Sequence, residues 1–277
     1  MNIIRDDFGA IDLHSLESDD NYKVIKAFNN GKSIIMYDDK KYFLKMSSSL
    51  NRIYNELIAQ EIAMDYGIEN AEYDLFYYNG NFGAMSLDIN KCSCITHSFS
   101  EYINMEDNNL EEIWNIFNTL FDSNTTIRLM DKIVDVFLFD VLIGNIDRHN
   151  DNLVLMKTNG EYSLGPLFDN ENMLSSEAIN LGYYTLGVDS NDYNSNCSHN
   201  ILDKFINISD NIYLERLKSK LWIISSTNFE NILRRVEKRI GVPIHANIRN
   251  KLKIDMQTNL DMISKVISKY EKKYILR

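Results

Sequence analysis

The hydropathy pattern shifts along this chain from mostly strand-like to mostly helical, and that shift limits the folds open to it. The first ~85 residues carry short apolar runs broken by turn-forming dipeptides, the mark of antiparallel strands. Runs from Val24 to Phe28, Ile34 to Tyr37 and Lys41 to Met46 read as strands, with turns at Asn29-Asn30-Gly31-Lys32-Ser33 and Asp38-Asp39-Lys40. A helix is expected from about Asn51 to Tyr66, where Ile53, Leu57, Ile58 and Ile62 recur at helical spacing and Gly67 follows as a stop. Strands from Tyr73 to Tyr78 and Phe82 to Leu87 flank Asn79-Gly80, a strong hairpin signal. From ~110 onward helical spacing takes over. Met130, Ile133, Val134, Phe137 and Val141 share one helix face, and a short hairpin is expected around Thr158-Asn159-Gly160. A polar stretch to about Asn200 reads as loops. A last helical part follows, in which Thr227-Asn228-Phe229-Glu230 fits a capping box and Gly241 with Pro243 fits a stop.

The expected fold class is therefore α+β, with a β-rich N-terminal lobe over 1–88, a helical C-terminal lobe over 89–277, and a cleft between them. The 277 residues suffice for two lobes with real cores. A net charge of -11 argues against sequence-independent nucleic-acid binding, which needs many cations on phosphates. No stretch approaches the ~20 apolar residues of a membrane span, and the N-terminus lacks the apolar core of a signal peptide. Three cysteines make no disulfide framework, which favours a reducing cytoplasm and leaves a secreted effector open.

Asp147, Asn152 and Asp169 carry the chemistry. Asp147 and Asn152 are separated by four residues at the end of the Met130–Val141 helix, and Asp169 follows across the next hairpin. Phosphoryl transfer asks for a carboxylate that orients the acceptor hydroxyl and for hard oxygen ligands to magnesium on the nucleotide phosphates. Asp147 can serve as the first, Asn152 and Asp169 as the second. Alone, each is more often a loop or turn residue; their joint placement favours the functional reading.

Lys45, on the third strand, can reach nucleotide phosphates, although an ordinary surface lysine looks the same in sequence. Glu56 or Glu61 could pair with Lys45. The turn Asn29, Asn30, Gly31, Lys32, Ser33 lies where a phosphate-covering loop belongs, but a plain hairpin turn fits equally well. It is no Walker A loop, because Lys26 stands where the first glycine is needed and a strand follows. Met85 and Leu87, leading into the second half, are candidate nucleotide contacts. Cys92, Cys94, His97, Cys197 and His199 could gather zinc only if segments ~100 residues apart met, and free thiols are the preferred reading.

The run Gly144-Asn145-Ile146-Asp147-Arg148-His149 with Asn152, then Gly165-Pro166-Leu167-Phe168-Asp169-Asn170, resembles the HipA-like Ser/Thr kinases, relatives of the phosphatidylinositol 3- and 4-kinases. Asn55-Glu56 and the apolar run to Gly67-Ile68 resemble that family's Asn-Glu helix, which favours Glu56 over Glu61. The resemblance implies ATP and magnesium as cofactors, Asp147 as catalytic residue, Asn152 and Asp169 as metal ligands, Lys45 on the phosphates and His149 shaping the catalytic loop. It implies a protein substrate with a Ser or Thr acceptor, and an antitoxin or regulatory partner. Autophosphorylation is a further expectation, with Ser33 as one acceptor. About twenty residues precede the first strand, where full-length HipA toxins carry a subdomain, so the chain resembles compact members. A lipid or small-molecule kinase, and a nucleotide-binding pseudokinase or scaffold, are the alternatives.

Overall fold

The computed structural model describes residues 9–17, 19–47, 49–89, 94–102, 110–145, 148, 150–174 and 212–275. It is a mixed α+β structure with a strand-rich N-terminal part and a helical C-terminal part. The first part holds β1 (Ile11–Asp12), β2 (Tyr22–Asn29), β3 (Lys32–Tyr37), β4 (Lys40–Met46), β5 (Tyr73–Tyr78) and β6 (Asn81–Leu87). They form one six-stranded sheet in the order β1-β5-β6-β4-β3-β2. Helix α1 (Leu50–Tyr66) is inserted between β4 and β5. The second part holds β7 (Cys94–Ser98), α2 (Leu110–Leu120), α3 (Ser123–Ile143), β8 (Val154–Thr158), β9 (Glu161–Leu164), α4 (Ile212–Lys220), α5 (Ser226–Ile240) and α6 (Ala246–Ile275).

The hairpins follow from their turn residues. Asn30-Gly31, Asp38-Asp39, Asn79-Gly80 and Asn159-Gly160 all take positive φ at both positions, as two-residue turns matched to strand twist require. Gly83 on β6 answers a different need. A Cβ there would lie 2.3 Å from the Phe76 ring and 2.5 Å from the Lys45 carbonyl oxygen, so only glycine lets β4, β5 and β6 close up beside Lys45.

One face of the sheet is covered by a small cluster that includes Ile11, Leu13, Ile35, Phe76 and Met85. The other lies against α1. Leu57, Ile58 and Ile62 of that helix are fully buried, in one core with Ile133, Phe137 and Val141 of α3 and Ile232, Leu233 and Val236 of α5. Each such side chain contributes about 1.5–3 kcal/mol of burial. Charges reinforce the attachment. Glu61 is paired with Arg235 at 2.9 Å and Arg239 at 3.0 Å, and Asp65 with Arg235 at 2.8 Å. Gly67 ends α1 at φ 88°, where the sequence puts the stop.

Three expectations needed correction. The Thr227–Glu230 box does not cap α5. Ser225 is its N-cap residue and makes no side-chain cap bond; its hydroxyl donates to the Trp222 carbonyl at 2.8 Å, and the Glu230 carboxylate pairs with Arg249 and Lys253 of α6. The region around Cys94 and His97, given no strand in the sequence reading, is strand β7, paired antiparallel with β8. β1, unread in the sequence, adds to the sheet parallel to β5. Beyond Leu174 the polar stretch to Asn200 lies outside the described residues.

Candidate active site

Three remote segments meet in a cleft of about 670 Å³, well within the ordinary range for small-molecule sites. β4 brings Lys45, α1 brings Arg52 and Glu56, and the turn after β9 brings Asp169 and Glu171. Asn152, from the 3-10 turn Asn150–Asn152, lines it too.

The turn is held in place from several sides. Asp169 takes a left-handed φ of 59°, which Asp tolerates better than most residues, and its N–H donates to the Tyr73 hydroxyl at 3.1 Å. Burial pushes the Tyr73 phenol well above its ordinary range, so it stays neutral. The Asn170 N–H donates to Glu56 Oε2 at 2.8 Å, and Asn55 Nδ2 donates to the carbonyls of Glu171 and Met173.

Beneath lies a buried ion pair. Arg148 donates through Nε to Asp140 Oδ2 and through Nη2 to Asp140 Oδ1, each at 3.0 Å. The same guanidinium reaches the Phe168 carbonyl at 2.8 Å and Asn170 Oδ1 at 2.5 Å, and Asn145 Nδ2 donates to Asp140 Oδ1. One cation thus ties the end of α3 to the Asp169 turn. Sequence reasoning missed Asp140, although the signal was there. It interrupts the run Val136-Phe137-Leu138-Phe139-Asp140-Val141-Leu142-Ile143, and a carboxylate in a fully apolar helix must have a partner.

The expected site residues separate. Lys45, Glu56, Asn152, Asp169, Lys32, Ser33 and Leu87 line the cleft; Asn29, Asn30, Gly31 and Met85 do not. Met85 packs into the small cluster on the far face of the sheet, because side chains alternate along β6 and its neighbours Ala84 and Ser86 take the cleft side. Ser33 is buried and its hydroxyl donates to the Lys26 carbonyl at 2.6 Å. The expected Lys45–Glu56 pair is replaced by others. Lys45 Nζ lies 2.8 Å from Asp169 Oδ1 and 3.1 Å from Glu171 Oε1. Burial works against the charge of Lys45, but these carboxylates outweigh it and raise its pKa. Glu56 is instead held to Asn170 and pushed by burial up to about 8, so it is largely protonated at neutral pH. Glu61 faces α5, away from the cleft. Asp147 and His149 lie outside the described residues, as do Cys92, Cys197 and His199. Of the described candidates for zinc, His97 pairs with Glu101 at 3.0 Å.

The donor chemistry fits a nucleotide with magnesium. Lys26, Lys32, Lys45 and Arg52 place cations along the cleft, and Asn152 and Asp169 carry hard oxygens of the kind that could hold magnesium.

The model of the HipA-like C-terminal domain matches residues 23–241. The chain belongs to that family. Among solved structures, the Helicobacter pylori proinflammatory kinase CtkA is similar at 20% identity and a TM-score of 0.62, with 96% of this chain and 98% of that one covered. That likeness makes the fold a kinase fold. HipA of Shewanella oneidensis MR-1, from a toxin–antitoxin complex with HipB and operator DNA, is similar at 12% identity and a TM-score of 0.46, over 90% of this chain and 64% of that one. No curated protein matches. Among the described residues of this HipA-like chain, no helix is long and apolar enough to cross a membrane.

Proposed function

We propose that this HipA-like protein transfers the γ-phosphoryl group of ATP to a Ser or Thr hydroxyl of a protein, with magnesium, in the cytoplasm. The observation that carries the reading is the meeting of Lys45, Asn152 and Asp169, from three remote segments, in one cleft of nucleotide size. In this reading Lys45 holds the phosphates and Asn152 with Asp169 holds the metal, whose charge offsets that of the transferring group. Asp147 orients the acceptor hydroxyl and takes its proton as the new O–P bond forms and the bond to the ADP oxygen breaks. Glu56, through the Asn170 N–H, positions the turn that carries Asp169. Arg148, through its bonds to Asp140, Phe168 and Asn170, adds to the loop-shaping role that the resemblance gives to His149. Self-phosphorylation and a regulatory partner belong to the proposal; Ser33 would have to leave its bond to Lys26 to be an acceptor.

The test is incubation of the purified chain with magnesium and γ-labelled ATP beside an Asp147→Ala variant. Label on Ser or Thr in the wild type, at least ~100-fold weaker in the variant, is the expected result. ATP bound but not consumed by the wild type would favour a nucleotide-binding scaffold or a kinase lacking its acceptor; no binding at all would remove the reading.

A further inference from the structure

Glu171 has no part in the transfer described above, yet its carboxylate lies inside the cleft. Its main chain is fixed, with the carbonyl accepting from Asn55 Nδ2 at 2.9 Å. From that anchor the side chain reaches back to Lys45 Nζ at 3.1 Å and Arg52 Nη1 at 3.6 Å. It is 14% exposed, against 34% for Lys45 and 55% for Arg52. A carboxylate and a phosphate present the same kind of acceptor oxygens, and guanidinium and ammonium groups bind either.

We propose that Glu171 is a built-in competitor of the nucleotide. It occupies the two cations, Lys45 and Arg52, that nucleotide phosphates take, and so sets the affinity of the cleft. This rests on the nucleotide-binding reading above. It also assigns Arg52 to the phosphates beside Lys45. Binding then exchanges partners: phosphate oxygens replace Glu171 on both cations, and the freed carboxylate turns to the solvent at the mouth of the cleft. The cations thus have an anionic partner in both states, Lys45 keeping Asp169 beside it.

Calorimetric titration of ADP into the full chain, with and without magnesium, tests this on wild type, Glu171→Gln and Glu171→Asp. Thermal unfolding without nucleotide is measured in parallel. Glu171→Gln should bind ADP roughly three- to tenfold tighter under both conditions. Glu171→Asp, too short to reach Arg52, should show a smaller gain. The unliganded variants should unfold at the same or a lower temperature than wild type. A merely structural glutamate would lose stability and affinity together, so opposite signs are the signature. Unchanged or weaker ADP binding overturns the proposal, and weakening confined to the magnesium series would make Glu171 a metal ligand. If wild type binds ADP and the variants bind no tighter, only this proposal falls; if wild type binds none, the nucleotide reading falls with it.

Discussion

Two ion-pair clusters flank Asn170, and they differ in their access to water. Arg148 and Asp140 are 1% and 0% exposed, and every bond from that guanidinium ends on α3 or on the protein's own loops. Lys45 and Asp169 are 34% and 29% exposed and share a third member, Glu171. A buried charge pair with saturated hydrogen bonds has no other partner available, so it fixes geometry. A half-exposed trio can trade partners at low cost, because water compensates each broken bond. The first cluster is scaffold and the second is where chemistry can occur.

Breaking the buried cluster should have the largest effect. Arg148→Ala leaves Asp140 unpaired in the core, and denaturant unfolding should show a loss of about 3–5 kcal/mol. A loss under ~1 kcal/mol would erase the distinction between the clusters. Lys45→Met should reverse the pattern. Its stability should stay within about 1 kcal/mol of wild type, while phosphoryl transfer falls roughly 100-fold or more; equal damage to both would mean that the open cluster is also scaffold. Glu56→Gln sharpens the boundary between them. The folded Glu56 carboxyl titrates near 8, against an ordinary value of 4.5, so the folded state binds the proton more tightly. Its contribution is full below 4.5 and is lost as pH rises through about 8. Wild-type stability should fall across that window by at most ~1.4 kcal/mol per pH unit. Gln, which still accepts from Asn170, should flatten the slope. An identical slope in the variant would mean that Glu56 is ionised in the fold.

Much of this was legible in the sequence because the signals are local. Asn79-Gly80 and Asn159-Gly160 dictate hairpins whatever surrounds them, and the spacing of Ile53, Leu57, Ile58 and Ile62 gives α1 its inner face. Asn152 and Asp169 were read from a motif and Lys45 from its place on the third strand, and the fold brings all three to one cleft. What escaped depends on partners remote in sequence. β7 has no alternation of its own and is a strand because β8, about sixty residues later, pairs with it. Lys45 was matched to a glutamate eleven residues on, but its partner Asp169 is 124 residues away. The Thr227–Glu230 signal was outcompeted by two cations on α6. Met85 was assigned to the cleft by position along β6, when the side-chain alternation of the strand sends it to the opposite face.

Helix α1 enters the chain among strands, yet its buried face packs on α3 and α5 as well as on the sheet, and its carboxylates Glu61 and Asp65 pair with α5. It therefore joins the two parts. Severing the chain near residue 88 would not release two folding units. It would strip Leu57, Ile58 and Ile62 from the larger piece and leave Arg235 and Arg239 facing a hole. Glu56 is therefore anchored in the helix that ties the two parts together, while Lys45 belongs to the sheet, and the cleft takes one wall from each.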